Sequence, residues 1–388
     1  MTMLFSPYRL RGVEFPNRVM IAPMCTYSAE GGLASNWHLA HLAKFAIGGA
    51  GAVMTEAAAV QERGKITHGD LGIWSDAHAD ALKPVIDLIQ SQGSRAGVQL
   101  AHAGRKASMQ RPWFGNGPLN DEDTARGDLP WDVVGPSANA LDDGWLTPAE
   151  MSEGEILALV DDFVAAAKRC EAIGCDFIEL HCAHGYLMQS FLSPLSNHRD
   201  DAWGGDLARR MAAPLAVAKA VRAAWPEDKP LFVRISSIDG VEGGWTMDDS
   251  VVLAKALKSV GVDIIDCSSL GNTSQGATAA PGKRGAGFQT PFSARIKSDA
   301  DMPSMAVGLI VDGETAEQVL QEGRADLVAI GREALKNPFW ALHAAEALGV
   351  DHFDDYPVQY GWWLNRRRGA IRGMQSDPEL AALPPLSG

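Results

Sequence analysis

Two kinds of segment alternate along most of the chain. Short apolar, often β-branched runs recur, each followed by a longer stretch whose apolar positions have helical spacing. The short runs fall at residues 18–24, 52–55, 96–100, 177–181, 231–235, 264–267, 304–307 and 327–330. They read as strands buried on both faces. Helical stretches include 76–92, 152–173, 206–224, 248–260, 313–322 and 332–348. Ser152 and Glu155 have capping-box spacing, and Gly174 stands where the following helix should stop. Eight strand–helix alternations predict an α/β fold of the (β/α)8 TIM-barrel type rather than an open doubly wound sheet. No G-x-G-x-x-G turn follows an early strand, and Gly48-Gly49-Ala50-Gly51 precedes a strand, as a turn would.

One insertion breaks the rhythm. Residues 106–147 follow the third strand and are rich in Pro, Gly, Asp, Asn and Trp. A long loop at that end of a barrel strand predicts a lid or a substrate-shaping wall. A single barrel domain is expected over residues 1–365, with a tail over 366–388. The net charge of −14 argues against nucleic acid and anionic membranes as partners; only Arg366-Arg367-Arg368 forms a basic run. No apolar stretch has the length of a membrane span, and the first residues do not read as a signal peptide. Five cysteines without a C-x-x-C pair fit a reducing cytoplasm.

Chemistry should collect where the strands end. The fourth run ends in His181-Cys182-Ala183-His184-Gly185-Tyr186. Residues three apart on a strand face opposite sides, so His181 and His184 converge only if the chain turns after the strand, which Gly185 permits. Structural histidines, a zinc half-site and catalytic groups all remain open readings of this pair. Gly308 and Gly331-Arg332 follow the seventh and eighth strands, the usual phosphate corner of such barrels. Arg234 lies inside the run Leu-Phe-Val-Arg-Ile-Ser and needs an anion, either a ligand or an ion pair with Glu56 or Glu179. Gln99 offers donor and acceptor to a heterocycle edge, or to the core. Cys25 ends the first run beside Pro23 and Met24. A phosphate corner, a buried arginine, an amide and a sulfur together suggest FMN across the mouth.

The motifs that carry a family likeness are Ala22-Pro23-Met24-Cys25-Thr26-Tyr27, the run from Gly97 to Lys106, His181-Cys182-Ala183-His184-Gly185-Tyr186-Leu187, the run from Phe191 to Arg199, and Ile330-Gly331-Arg332. With them the chain resembles the Old Yellow Enzyme family of FMN-dependent ene-reductases, in its bacterial thermophilic-like branch. The resemblance spans about residues 4–364. It implies that Ala22, Pro23, Met24, Cys25, Ala57, Gln99, Arg234, Gly308, Gly331 and Arg332 bind FMN. Tyr27 and Tyr186 would flank the substrate, His181 and His184 would hold its oxygen, and Tyr186 would be the proton donor. NADPH or NADH would be the reductant, an α,β-unsaturated carbonyl or nitro compound the substrate, and no metal is implied. A homo-oligomer, dimer or tetramer, is expected. Some members of this branch insert an arginine from a neighbouring subunit's C-terminal segment. Here that place is held by Trp362 and Trp363, as in xenobiotic-reductase relatives, so these tryptophans are expected to wall the substrate. The residues alone also admit a metal-dependent barrel hydrolase using His181 and His184, with Glu179 or Asp266, and a non-catalytic FMN-binding barrel.

Overall fold

The computed structural model describes residues 2–273, 284–349, 353–354 and 356–382. Eight parallel strands form the barrel: β1 (Val19–Ile21), β2 (Ala52–Ala59), β3 (Arg95–Ala101), β4 (Phe177–Cys182), β5 (Leu231–Ser236), β6 (Ile264–Ser268), β7 (Ser304–Val307) and β8 (Leu327–Ile330). They pair in chain order, and β8 returns to β1 through Val328↔Val19 and Ile330↔Ile21. The helices that follow them are α1 (Asn36–Ile47), α2 (Asp76–Ser91), α3 (Glu153–Ala172), α4 (Ala212–Ala224), α5 (Met247–Ser259), α6 (Thr290–Ala300), α7 (Gly313–Gln321) and α8 (Trp340–Ala347). This is the expected TIM barrel.

The period of two along each strand sorts its side chains. Ile178, Leu180, Val233, Ile235, Ile265 and Cys267 point outward into the core beneath the helices. Phe177, Phe232, Ile264, Met305 and Leu327 point inward and fill the barrel with Met20 and Met54. Two residues further along each of three neighbouring strands stand Glu179, Arg234 and Asp266, buried and polar, joined by Gln99 of β3. Two more residues along stand His181, Ser236 and Ser268, at the mouth. An apolar plug, a charged floor and a reactive rim are thus stacked by strand geometry alone.

The plug is closed from below by a hairpin that the sequence pattern did not suggest, Tyr8–Leu10 paired antiparallel with Val13–Phe15. Its Phe15 ring lies 5.7 Å from that of Phe177 and 6.2 Å from that of Phe232. Gly97 makes the room: a Cβ there would fall 2.3 Å from the Phe177 ring.

Several boundaries differ from expectation, each for a local reason. β1 stops at Ile21 rather than residue 24, ahead of Pro23, which has no N–H for a ladder. The helix expected over 206–224 is broken into Leu207–Arg210 and α4, since Pro214 cannot bond back to Arg210. The helix expected over 332–348 splits into Arg332–Lys336 and α8 at Asn337-Pro338, where Asn337 is extended. β2 continues to Ala59, with a register shift against β3 between Met54 and Ala57. At the C-terminus α9 (Val358–Ser376) runs through the boundary expected at 365/366. Among the described residues no helix is long and apolar enough to cross a membrane.

Candidate active site

β4 ends at Cys182, and His184 (φ 61°) with Gly185 (φ 76°) turns the chain. A Cβ on Gly185 would lie 2.1 Å from the Gly271 carbonyl oxygen, so the turn needs glycine. The turn brings the His181 and His184 rings edge-to-face at 5.1 Å, and His181 lies 5.2 Å from the Tyr186 ring. His184 is pinned: its Nε2 is 2.7 Å from Ser268 Oγ, and its backbone N–H donates to Ser236 Oγ at 2.9 Å. Lys106 Nζ donates to the carbonyls of His184 and Gly271, at 2.8 and 3.0 Å, and sits 5.1 Å over the Tyr186 ring.

Burial, followed by the positive charges of Arg234 and Lys106, holds both imidazoles well below the usual histidine range. They are neutral at neutral pH, and each carries one N–H to donate. Burial pushes the Tyr186 hydroxyl up, so it keeps its proton until a substrate takes it. Burial, with Glu56 and Asp70 nearby, likewise raises the Cys25 thiol, which is therefore no thiolate nucleophile.

A cavity of about 260 Å³ opens at this mouth. Ala22, Pro23 and Met24 line it beside Gly331, since β1 and β8 are neighbours, together with Gly308, Arg332, Arg234 and His184. Ser268 at the end of β6 and Val307 at the end of β7 also line it, as do Arg284, Phe288 and Gln289, which were not singled out from the sequence. A neighbouring cavity of about 260 Å³ shares Gly308, Gly331 and Arg332. The Arg332 guanidinium has no hydrogen bond or ion pair among the described residues.

The charged floor corrects one expectation. Arg234 pairs with neither Glu56 nor Glu179; its Nε lies 3.3 Å from Asp266 Oδ2, without hydrogen-bond alignment. The reason is register, which sets Arg234 opposite Asp266 of the next strand. Glu179 instead accepts from Gln99 Nε2 at 2.7 Å, leaving the Gln99 carbonyl oxygen without a partner among the described residues. Burial and the Asp266 charge push the Glu179 carboxyl up, with Arg234 opposing. Ala57 is in register with Gln99 and buried. Beside it, at the β2 register shift, Glu56 accepts from Thr26 N (2.9 Å) and Thr26 Oγ1 (2.7 Å) and lies 3.4 Å from His38.

Glu56 thus fixes the loop that carries Cys25 and Tyr27. Tyr27 sits at φ 49°, a costly conformation for a tyrosine, against Gly69, where a Cβ would meet the Tyr27 carbonyl oxygen at 2.1 Å. Asp70 locks that turn by accepting from Ile66 N (2.6 Å) and Thr67 N (3.0 Å). Met109 and Val133 of the 106–147 insertion join Ile66, Ala103 and Ala107 in one apolar cluster, against which Cys25, Tyr27, Tyr186, Trp131 and Trp145 all pack. Trp362 and Trp363 lie elsewhere: both are exposed on α9, edge-to-face at 4.5 Å, with Arg366 4.1 Å over Trp362.

The residues fit FMN. An unpaired guanidinium beside two glycines suits a phosphate, Ala22-Pro23-Met24 offers an apolar strip, and Arg234 with the free Gln99 oxygen suits the polar edge of a flavin ring. Among the described residues no three His, Cys, Asp or Glu side chains converge as metal ligands.

Comparisons with known proteins agree. The model of the NADH:flavin oxidoreductase / NADH oxidase family matches residues 3–350. The NADPH dehydrogenase of Bacillus subtilis (strain 168) is 41% identical over 363 residues, covering 92% of this chain and 99% of that protein. That of Geobacillus sp. (strain WCH70) is 40% identical, covering 93% and 99%. Among solved structures, the Old Yellow Enzyme homologue of Zymomonas mobilis superposes with a TM-score of 0.72 at 24% identity, covering 89% of this chain and 92% of its own. Morphinone reductase superposes with a TM-score of 0.73 at 22% identity, covering 89% and 90%. A 2-naphthoyl-CoA reductase reaches 0.79 at 23% identity, but this chain spans only 52% of it. These structural likenesses speak for the barrel fold, while the family match and the close relatives settle descent: the chain belongs to the NADH:flavin oxidoreductase / NADH oxidase family, that of the Old Yellow Enzymes.

Proposed function

We propose that this flavin oxidoreductase reduces the activated C=C bond of α,β-unsaturated carbonyl or nitro compounds, with NADPH or NADH as reductant. The observation that carries the reading is the gathering of the His181, His184 and Tyr186 rings at the end of β4, 5.1 and 5.2 Å apart, with His184 lining the cavity; burial favours neutral imidazoles and a protonated phenol there. Bound FMN would supply the hydride relay between nicotinamide and alkene. The phosphate would sit at Gly308, Gly331 and Arg332, and the ring system against Ala22, Pro23, Met24, Cys25 and Ala57, with Gln99 and Arg234 at its polar edge. His181 and His184 would each donate a hydrogen bond to the substrate oxygen, where negative charge grows during reduction. The Ser268 contact and the Lys106 clamp keep His184 aimed while this happens. Tyr186 would hand its proton to the α-carbon as general acid. Tyr27 and the insertion's tryptophans would wall the substrate and exclude water.

The test is an absorption spectrum of purified protein, then anaerobic addition of NAD(P)H, then 2-cyclohexenone. A yellow protein that bleaches with NAD(P)H and recovers colour with the enone supports the reading. A protein without flavin that takes up none from added FMN overturns it. A flavin that is reduced but not reoxidised by enones points to a different acceptor, and one that NAD(P)H cannot reduce points to a binding barrel.

The five free cysteines support a reducing, cytoplasmic setting. The exposed Tyr360, Trp362 and Trp363 of α9 support a homo-oligomer in which a second copy covers them, and in which one tryptophan walls a substrate site.

A further inference from the structure

A second cleft, of about 450 Å³, lies between residues 62–68 and the insertion's 129–131. Arg63, Lys65, His68 and Trp131 line it, with Glu62 among them. Lys65 is only 8% exposed, yet its ammonium makes no hydrogen bond among the described residues. It is held between two indoles, 5.5 Å from the Trp74 centroid and 5.4 Å from that of Trp131. Its anionic neighbour is Glu62 at 3.5 Å, a side chain 73% exposed and so poorly placed to compensate a buried charge. Arg63 donates from Nε to Gln61 Oε1 at 3.0 Å and meets Glu155 at 3.3 Å, which leaves its other terminal nitrogen unengaged among the described residues. Trp131 donates its indole N–H to the Arg63 carbonyl at 3.0 Å, and His68 packs against its ring at 4.8 Å. That bond fixes the indole as a flat wall.

The cleft opens beside the catalytic mouth. Ala103 N, just past β3, donates to Gly64 O at 2.8 Å, and Trp131 shares an apolar cluster with Tyr27 and Tyr186. It therefore lies on the β2–β3 side, across the barrel from Gly308 and Arg332 on the β7–β8 side. A nicotinamide dinucleotide carries its negative charge on the phosphates, remote from the ring that reacts. The chain itself bears a net charge of −14, so such a ligand meets repulsion except where cations are gathered locally. A buried, loosely compensated ammonium, a guanidinium with one terminal nitrogen unengaged and an indole are groups that suit phosphates and a purine.

We propose that this cleft holds the adenosine-phosphate end of the nicotinamide dinucleotide reductant, with Arg63 and Lys65 on phosphate and Trp131 against adenine. The proposal rests on the reading above that a nicotinamide donor serves this site.

The test uses the FMN-loaded protein and two probes. Tetrahydro-NADPH, which cannot give up hydride, reports binding by calorimetry. 1-Benzyl-1,4-dihydronicotinamide, which lacks phosphates, reports reduction without the cleft. Arg63→Ala and Lys65→Met should each raise the Kd for tetrahydro-NADPH roughly tenfold, the scale of one charge-assisted contact. Added salt should weaken wild-type binding more than binding by either variant. Reduction by the benzyl donor should proceed at the wild-type rate in Arg63→Ala, whose side chain is 35% exposed, provided that the variant's FMN content matches the wild type. Unchanged tetrahydro-NADPH affinity in Arg63→Ala overturns the proposal, as does equal slowing with both donors, which would make Arg63 part of the mouth itself. If no donor reduces even the wild type while tetrahydro-NADPH binds in an Arg63-dependent way, the cleft stands and the proposed reaction falls.

Discussion

Asp266→Asn, Glu179→Gln and the double variant test how the barrel keeps Arg234 buried. Arg234 is 6% exposed, and Asp266 and Glu179 are fully buried. One cation needs one anion. Asp266 lies nearest, at 3.3 Å; burial raises both carboxyls and Arg234 opposes this at each, but Glu179 also has the Asp266 charge against it, so Glu179 is the one that keeps its proton. Removing Asp266 removes a cause of that protonation, so Glu179 can ionise and take over. Each single substitution should therefore cost only about 1 kcal/mol, the net worth of an ordinary polar contact. The double variant leaves a buried guanidinium without an anion and should cost about 3–5 kcal/mol, well above the sum of the singles. The measurement is urea unfolding with FMN at one fixed excess, because bound ligand adds its own stabilisation. The sign of the pH effect follows from the raised Glu179. In the folded wild type it holds a proton that the unfolded chain releases above its ordinary value of 4.5, so its contribution to stability falls as pH rises past that value. In Asp266→Asn that loss should shrink. Additive costs, or an Asp266→Asn variant as unstable as the double, would refute the shared counter-ion.

Four further outcomes are expected. Arg332→Ala should weaken FMN binding by about 1.5–3 kcal/mol, read by fluorescence of released flavin; an unchanged affinity would move the phosphate elsewhere. Tyr186→Phe should slow flavin reoxidation by enones by about 10²–10⁴-fold in stopped flow while reduction by NAD(P)H keeps its rate; wild-type reoxidation would mean that water or another acid supplies the proton. Burial raises Asp70 from 3.8 to about 7, so folding retains a proton and stability is lost as pH climbs between those values; Asp70→Asn should remove up to about 1.4 kcal/mol per pH unit of that loss, and identical slopes for variant and wild type would count against it. Trp362→Ala and Trp363→Ala should shift the sedimentation profile towards smaller species and change the ranking of small against bulky enones with FMN content intact; if both measures stay as in the wild type, the pair serves neither an interface nor a substrate wall.

What could be read from the chain, and what could not, divides along physical lines. The eight strands were legible because each is a short apolar run, and interior and exterior residues follow from period two. Gln99 and Arg234 stood out as polar residues inside such runs. The partner of Arg234 did not, because Glu179 and Asp266 occupy equivalent places on their own strands and only inter-strand register decides between them. Boundaries failed where proline outweighed apolar pattern, at Pro23, Pro214 and Pro338. His181, His184 and Tyr186 were visible because imidazoles and a phenol gathered at one strand end are conspicuous. The groups that hold them in place were not. A serine at a strand end is ordinary punctuation, and only barrel closure sets Ser268 Oγ 2.7 Å from His184. Glu56 looks like any strand-end carboxylate until the register shift in β2 turns it onto Thr26. Residues that act on a ligand announce themselves by type. Residues that act on another residue are defined by distance, and distance across a barrel is set by closure, which no local pattern contains.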